Sequence, residues 1–211
     1  MLRSLASADV RNDSAFLAYY MILGAGWIGA CWKAFPMLGV SPRDDVIERG
    51  GSAAGWVVNG AVFATMLAFA GGNIGNGPGV NVVLFSSLLS TGALFLSWLV
   101  LEMSTQPCLS DRITIGRDEA AGIRLAGLLI SLGALFGAGV SGDWISVGDT
   151  VFTFAKFSWP ALILVSLAWL VEKMAPQIHS TNGISKKSLV TRLPALAYII
   201  SVILYVGWQF K

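Results

Sequence analysis

Residues 125–140 contain no charged side chain, and the chain enters this stretch from DRITIGRDEAAGIR and leaves it at Gly142-Asp143. Counted from Ala120, the run reaches the roughly 20 mostly apolar residues that a helix needs to cross a bilayer. In hydrocarbon every backbone N–H and C=O must be satisfied within the protein, so an isolated apolar run of this length is constrained to be a helix. Stretches 15–35, 53–72, 80–101, 150–171 and 193–208 meet the same test. Composition agrees: only 12% of the 211 residues are charged and the mean hydropathy is +0.70, against about 25% charged in soluble domains. We therefore expect an all-α polytopic membrane bundle, one domain over 1–211, with six transmembrane helices arranged as three hairpins at about 15–72, 80–142 and 150–209.

The chain also reads as a repeat. Ala53-Ala54-Gly55 recurs as Ala120-Ala121-Gly122, and at the same offset of 67 residues Asp44 matches Asp111, Gly60 matches Gly127, Phe69 matches Phe136 and Gly75 matches Gly142. Trp98-Leu99-Val100, with Met103 and Gln106, reappears 71 residues later as Trp169-Leu170-Val171 with Met174 and Gln177. The third unit departs most, since Pro194 and Ser-Lys-Lys-Ser-Leu stand where the Ala-Ala-Gly opening is expected.

Charge sets an expected orientation. Connections after the first, third and fifth segments carry Lys33, Arg43, Arg49, Arg112, Arg117, Arg124, Lys173, Lys186, Lys187 and Arg192; the opposite face has Arg3, Arg11, Lys156 and Lys211. Cytoplasmic loops are the ones enriched in Lys and Arg, which places both termini outside. The polar stretch before the first segment includes Asp9 and Asp13, and no small-residue cleavage pattern follows, so that segment is expected to be retained rather than removed as a signal peptide.

With their charged approaches and the Ala-Ala-Gly openings at Ser52-Ala53-Ala54-Gly55 and Glu119-Ala120-Ala121-Gly122, the two-helix units resemble the small bacterial inner-membrane proteins catalogued as domain of unknown function three-fifty. The resemblance covers about 130 residues, implies a multi-pass inner-membrane protein, and brings no activity with it.

Candidate positions follow from residue type and depth. Small residues four apart, notably Gly26 with Ala30 and Gly133 with Gly137, are expected at helix contacts, because helices in lipid associate by close packing. Arg124 reads as a long side chain snorkelling to the interface, or else as a contact for an anionic headgroup or a partner. Lys156 has the same two readings on the outer side, where Asp143 and Asp149 could frame a polar mouth. Asp149 also reads as a helix N-cap, as does Ser52, and Asp118 with Glu119 opens the fourth segment where negative charge suits the helix dipole. Pro160 is expected to kink the fifth segment, and Pro194 to lie in a first turn. Asn59 and Asn81 are candidates for a polar lining, or for hydrogen bonding between helices.

Some chemistry is not expected. Cys31 and Cys108 lack paired spacing and His179 stands alone, so no metal or cofactor site is read. The Gly-rich stretch 71–79 lacks the Lys-Ser/Thr ending of a phosphate loop, and a net charge of +2 gives no nucleic-acid footprint. All twelve acids read as loop or helix-end residues, whereas ion relays place carboxylates at depth. The expectation is a non-enzymatic accessory, assembly or packing component of a membrane complex, with the lipid bilayer and other subunits, or further copies of itself, as partners. The alternative is a small-solute or ion transporter or channel.

Overall fold

The computed structural model describes residues 14–179 and 184–209, and side chains within 14–175 and 193–209. The described residues form an all-helical bundle without strands. In chain order the helices are α1 (Ser14–Ala34), α2 (Ser52–Gly71), α3 (Val80–Ser104), the short α4 (Leu109–Thr114), α5 (Glu119–Gly139), α6 (Val147–Ser158), α7 (Pro160–His179) and α8 (Ile184–Gln209). A 3-10 turn at Phe35–Leu38 and a π-helical turn at Pro42–Glu48 fill the connection between α1 and α2.

Four helices, α1 (continued through Leu38), α2, α3 and α5, are long and apolar enough to cross a membrane. α6 and α7 together make a fifth candidate, bent by 43° at Trp159-Pro160. There the proline ring removes a backbone donor and forbids a straight continuation. The apolar part of α8, Leu193–Gln209, is shorter, so the sixth crossing expected from sequence is matched only by a shorter apolar helix. Pro194 lies inside α8 rather than in its first turn, a correction that arises because the helix begins upstream at Ile184.

Helix starts also differ in detail from the reading above. α5 is capped by Asp118, whose carboxylate accepts from Ala121 N at 3.1 Å. α2 is preceded by Gly51 without a side-chain cap, so Ser52 is its first residue and not its cap. α6 is capped by Ser146, which accepts from Asp149 N at 3.1 Å; Asp149 therefore sits in the first turn, favourable to the dipole.

α5 is the central helix. Fifteen of its 21 residues are buried, whereas α1 buries only Tyr20, Gly24 and Cys31. α2 and α5 run side by side in parallel, and their close approaches march in register: Ala53 with Gly122, Gly60 with Ala126, Ala64 with Gly133, Leu67 with Gly137. A Cβ built on Gly133 would lie 2.4 Å from Ala64 O, and one on Gly137 2.4 Å from Leu67 O. Backbone thus rests on backbone, the contact small residues permit in lipid. Gly26 and Ala30 are placed differently: both are exposed, and a Cβ on Gly26 meets nothing within 4 Å. The expected contact at that pair is corrected to Gly24, which abuts the Phe69 ring. A four-residue spacing marks a stripe on α1, and Tyr20, Gly24 and Cys31 select the other face.

At the end of this seam the two Gly-rich turns pair. Gly142 N donates to Ile74 O at 3.0 Å, Trp144 N donates to Asn76 O at 2.8 Å, and Asn76 N and Nδ2 both donate to Asp143 Oδ1. On the other side of α5, Ala195 of α8 packs onto Gly127, and Tyr205 donates to Phe157 O at 3.0 Å.

Candidate functional site

The described chain concentrates its buried charge where α4, α5 and α7 meet. Arg124 lies five residues into α5, a rise of about 7.5 Å from Glu119 at 1.5 Å per residue, and is 1% exposed. Its Nε donates to Glu172 Oε1 at 2.6 Å and its Nη2 to Glu172 Oε2 at 2.8 Å, the bidentate geometry in which Arg holds a carboxylate most strongly. Glu172, on α7, is 4% exposed. Its Oε2 also accepts from Arg112 Nη1 at 3.0 Å, and Arg112 Nη2 reaches Asp118 Oδ2 at 2.9 Å. Two cations and two acids are thereby joined in one chain of ion pairs.

Each member is positioned by local structure. The α4 turn, with Leu109 and Ile113 buried, swings Arg112 toward α7. The N-cap role of Asp118 holds its other oxygen toward Arg112. Burial pushes the Asp118 carboxyl up, but the hydrogen bonds from Arg112 and Ala121 N, with the charges of Arg112 and Arg124, outweigh it and hold the group below the usual carboxylate range. Leu101, Leu109, Leu125, Leu128, Ala168 and Tyr198 jacket the pair on its Arg124 side, leaving no space there that a water molecule would fit. Among the described residues, Arg124 Nη1 and Tyr198 OH have no hydrogen-bond partner.

Two expectations are corrected here. Arg124 does not snorkel, because its guanidinium turns inward onto Glu172 and is 1% exposed. Nor are all acids at helix ends: α7 continues past Val171 to His179, so Glu172 sits within a helix and inside the bundle.

The remaining candidates lie elsewhere. Asn59 is exposed and donates to Gly55 O of its own helix at 2.8 Å, and Asn81 is exposed near the start of α3. Neither lines the bundle interior, which corrects the polar-lining reading. Lys156 is exposed on α6. Asp143 and Asp149 are brought to one cavity of about 140 Å³, shared with Tyr20, Asn73 and Trp144. A second cavity, of about 260 Å³, opens beside the ion pairs between the end of α3 and α7. Among the described residues no group of three or more His, Cys, Asp and Glu side chains is arranged to hold a metal ion. The side chains of Gln177, His179, Lys186, Lys187 and Arg192 lie outside those described, as do Arg3, Asp9, Arg11, Asp13 and Lys211.

Sequence reasoning placed Arg124 correctly along the chain but missed its partner, 48 residues away. The available signal was a basic residue inside one apolar segment and an acidic residue at the edge of another, each too costly to bury without the other. The class defined so far is an all-helical bundle with four to five helices able to span a membrane, closed near one end by buried ion pairs. Comparisons with protein-family models, curated proteins and solved structures found no match, so the site is interpreted through its own chemistry.

Proposed function

We propose that the chain is a multi-pass protein of a bacterial inner membrane that works as a non-enzymatic packing component of a membrane assembly. The observation that carries this reading is the α2–α5 seam, where glycine lets backbone meet backbone from Ala53/Gly122 to Gly71/Gly137. Polar side chains along the bundle turn back onto helix carbonyls: Thr65 donates to Ala61 O, Ser131 to Gly127 O, and Ser90 to Ser86 O and Ala68 O. A conducting path calls for a wet polar lining or charged rings, and these groups supply neither. The in-register contacts of the two units, and the Asn76–Asp143 pairing 67 residues apart, support an internal duplication.

The transport alternative draws on one observation, the ion pair inside the bundle, since ionisable groups at membrane depth often serve a pathway. The geometry favours a lock: both Glu172 oxygens are engaged by arginines, and the apolar side of the pair, around Arg124, admits no water. Liposomes carrying the purified protein and a potential-sensitive dye should therefore behave as empty ones do under an imposed ion gradient. Sustained flux in the protein-containing vesicles would move the assignment to transport.

In this proposal α6–α7 and α8 complete six crossings, both termini are outside, and the loops around Arg43, Arg112 and Lys186 face the cytoplasm, as the Lys/Arg distribution favours. A cysteine placed beside Lys186 in a Cys108→Ser background should resist an impermeant thiol reagent in intact cells and react after lysis. Labelling before lysis would invert the topology.

A further inference from the structure

The larger cavity lies beside the ion-pair cluster and is lined by Gln106, Arg112, Trp169, Glu172 and Lys173, with the end of α3 behind it. At about 260 Å³ it falls just below the roughly 300 Å³ at which drug-sized pockets begin, a size suited to one small charged group. Its electrostatics are set by what is already paired. Glu172 accepts three charge-assisted bonds from Arg124 and Arg112, and Asp118 is matched by Arg112, so those two acids are balanced by the two arginines. Lys173 is the surplus charge. It forms no ion pair among the described residues, and its Nζ stands 4.9 Å from the centroid of the Trp169 ring. That ring is fixed in turn, because Trp169 Nε1 donates to Ser104 O at 2.9 Å.

Arg112 adds donors to the same wall. A guanidinium offers five N–H groups, and three bonds to Glu172 and Asp118 leave two of them without a partner among the described residues. An ammonium held on an aromatic face, beside a partly committed guanidinium and at the end of two apolar helices, lies where bilayer headgroups would lie. Basic pockets between transmembrane helices bind anionic headgroups by this chemistry, with Lys serving as a point charge for phosphate.

We propose that this cavity is a binding site for a phosphate group, with Lys173 as the charge that recognises it and Arg112 and Trp169 as the walls that orient it. The anion can arrive on a lipid headgroup or as free phosphate. The site stands independently of whether the bundle packs or transports, and of which end faces the cytoplasm.

The test uses the full-length protein in mild detergent, followed by native mass spectrometry and thermal unfolding with phosphatidylglycerol, phosphatidylcholine and inorganic phosphate added separately. Wild type should retain phosphatidylglycerol over phosphatidylcholine. Lys173→Gln should weaken that retention about fivefold and leave unfolding without added lipid unchanged, while Lys173→Arg keeps the preference. Stabilisation by inorganic phosphate that is lost in Lys173→Gln would also support the site and name the free anion as its source. Equal retention of the two lipids with no phosphate effect overturns the proposal, as does a phosphatidylglycerol preference that survives in both Lys173→Gln and Lys173→Glu.

Discussion

Glu172→Ala is expected to destabilise the bundle more than any other single side-chain truncation at the ion-pair cluster, by about 3–5 kcal/mol. The reason is what it leaves behind. Arg124 is 1% exposed and among the described residues hydrogen-bonds to Glu172 alone, so the variant strands a guanidinium among Leu101, Leu125 and Leu128. Arg124→Ala should cost less, because Glu172 keeps its bond from Arg112. The double variant Arg124→Met/Glu172→Leu should recover much of the loss, since replacing a buried pair by apolar residues of similar size is often near neutral. Thermal unfolding in one detergent should show a fall of roughly 10 °C for Glu172→Ala, taking about 2–4 °C per kcal/mol for a chain of this length. Single variants as stable as wild type, or a double variant that merely adds the two losses, would show that the pair is not a lock.

At the α2–α5 seam, Gly133→Leu and Gly137→Leu should disrupt the folded protein, and Gly71→Ala should already be harmful. A Cβ on Gly71 would fall 1.9 Å from Gly137 O, and those on Gly133 and Gly137 at 2.4 Å from carbonyl oxygens of α2. Backbone cannot rotate aside as a side chain can, so the helices must separate along the whole stripe. Overpacking by even a methyl costs about 1–3 kcal/mol where the surroundings can adjust, and leucine asks for more. Gly26→Leu is the internal control: a Cβ there meets nothing within 4 Å, and the variant should unfold as wild type does. The comparison is read by unfolding temperature and by the share of protein eluting as a single species in detergent. Tolerance of leucine at both Gly133 and Gly137 would show that α2 and α5 do not pack this closely.

What a run of residues does to its own backbone was legible in advance. Segments 53–72, 80–101 and 120–140 became α2, α3 and α5 with ends shifted by at most three residues, because a long apolar stretch has one economical way to satisfy its peptide groups. Pro160 broke the fifth segment for an equally local reason, and the Gly-rich stretch 71–79 became a turn. The 67-residue offset was visible as well, although only the structure shows that residues related by about that distance lie against each other.

Pairing between distant segments was decided by the tertiary structure. The sequence alone determined that Arg124 is a charge inside an apolar segment, but not whether water or a carboxylate would compensate it, since the answer came from Glu172 on another helix. It determined that small residues recur at four-residue spacing on α1 and α5, and the fold then chose Gly133 and Gly137 for contact while leaving Gly26 and Ala30 outside. It determined that Asn59 is polar within an apolar stretch, but that side chain is turned outward and bonded to its own helix at Gly55 O. The physical reason is common to all three: hydropathy and propensity act over one or two helical turns, whereas the face a helix buries depends on which neighbour offers a matching charge or a close-fitting backbone.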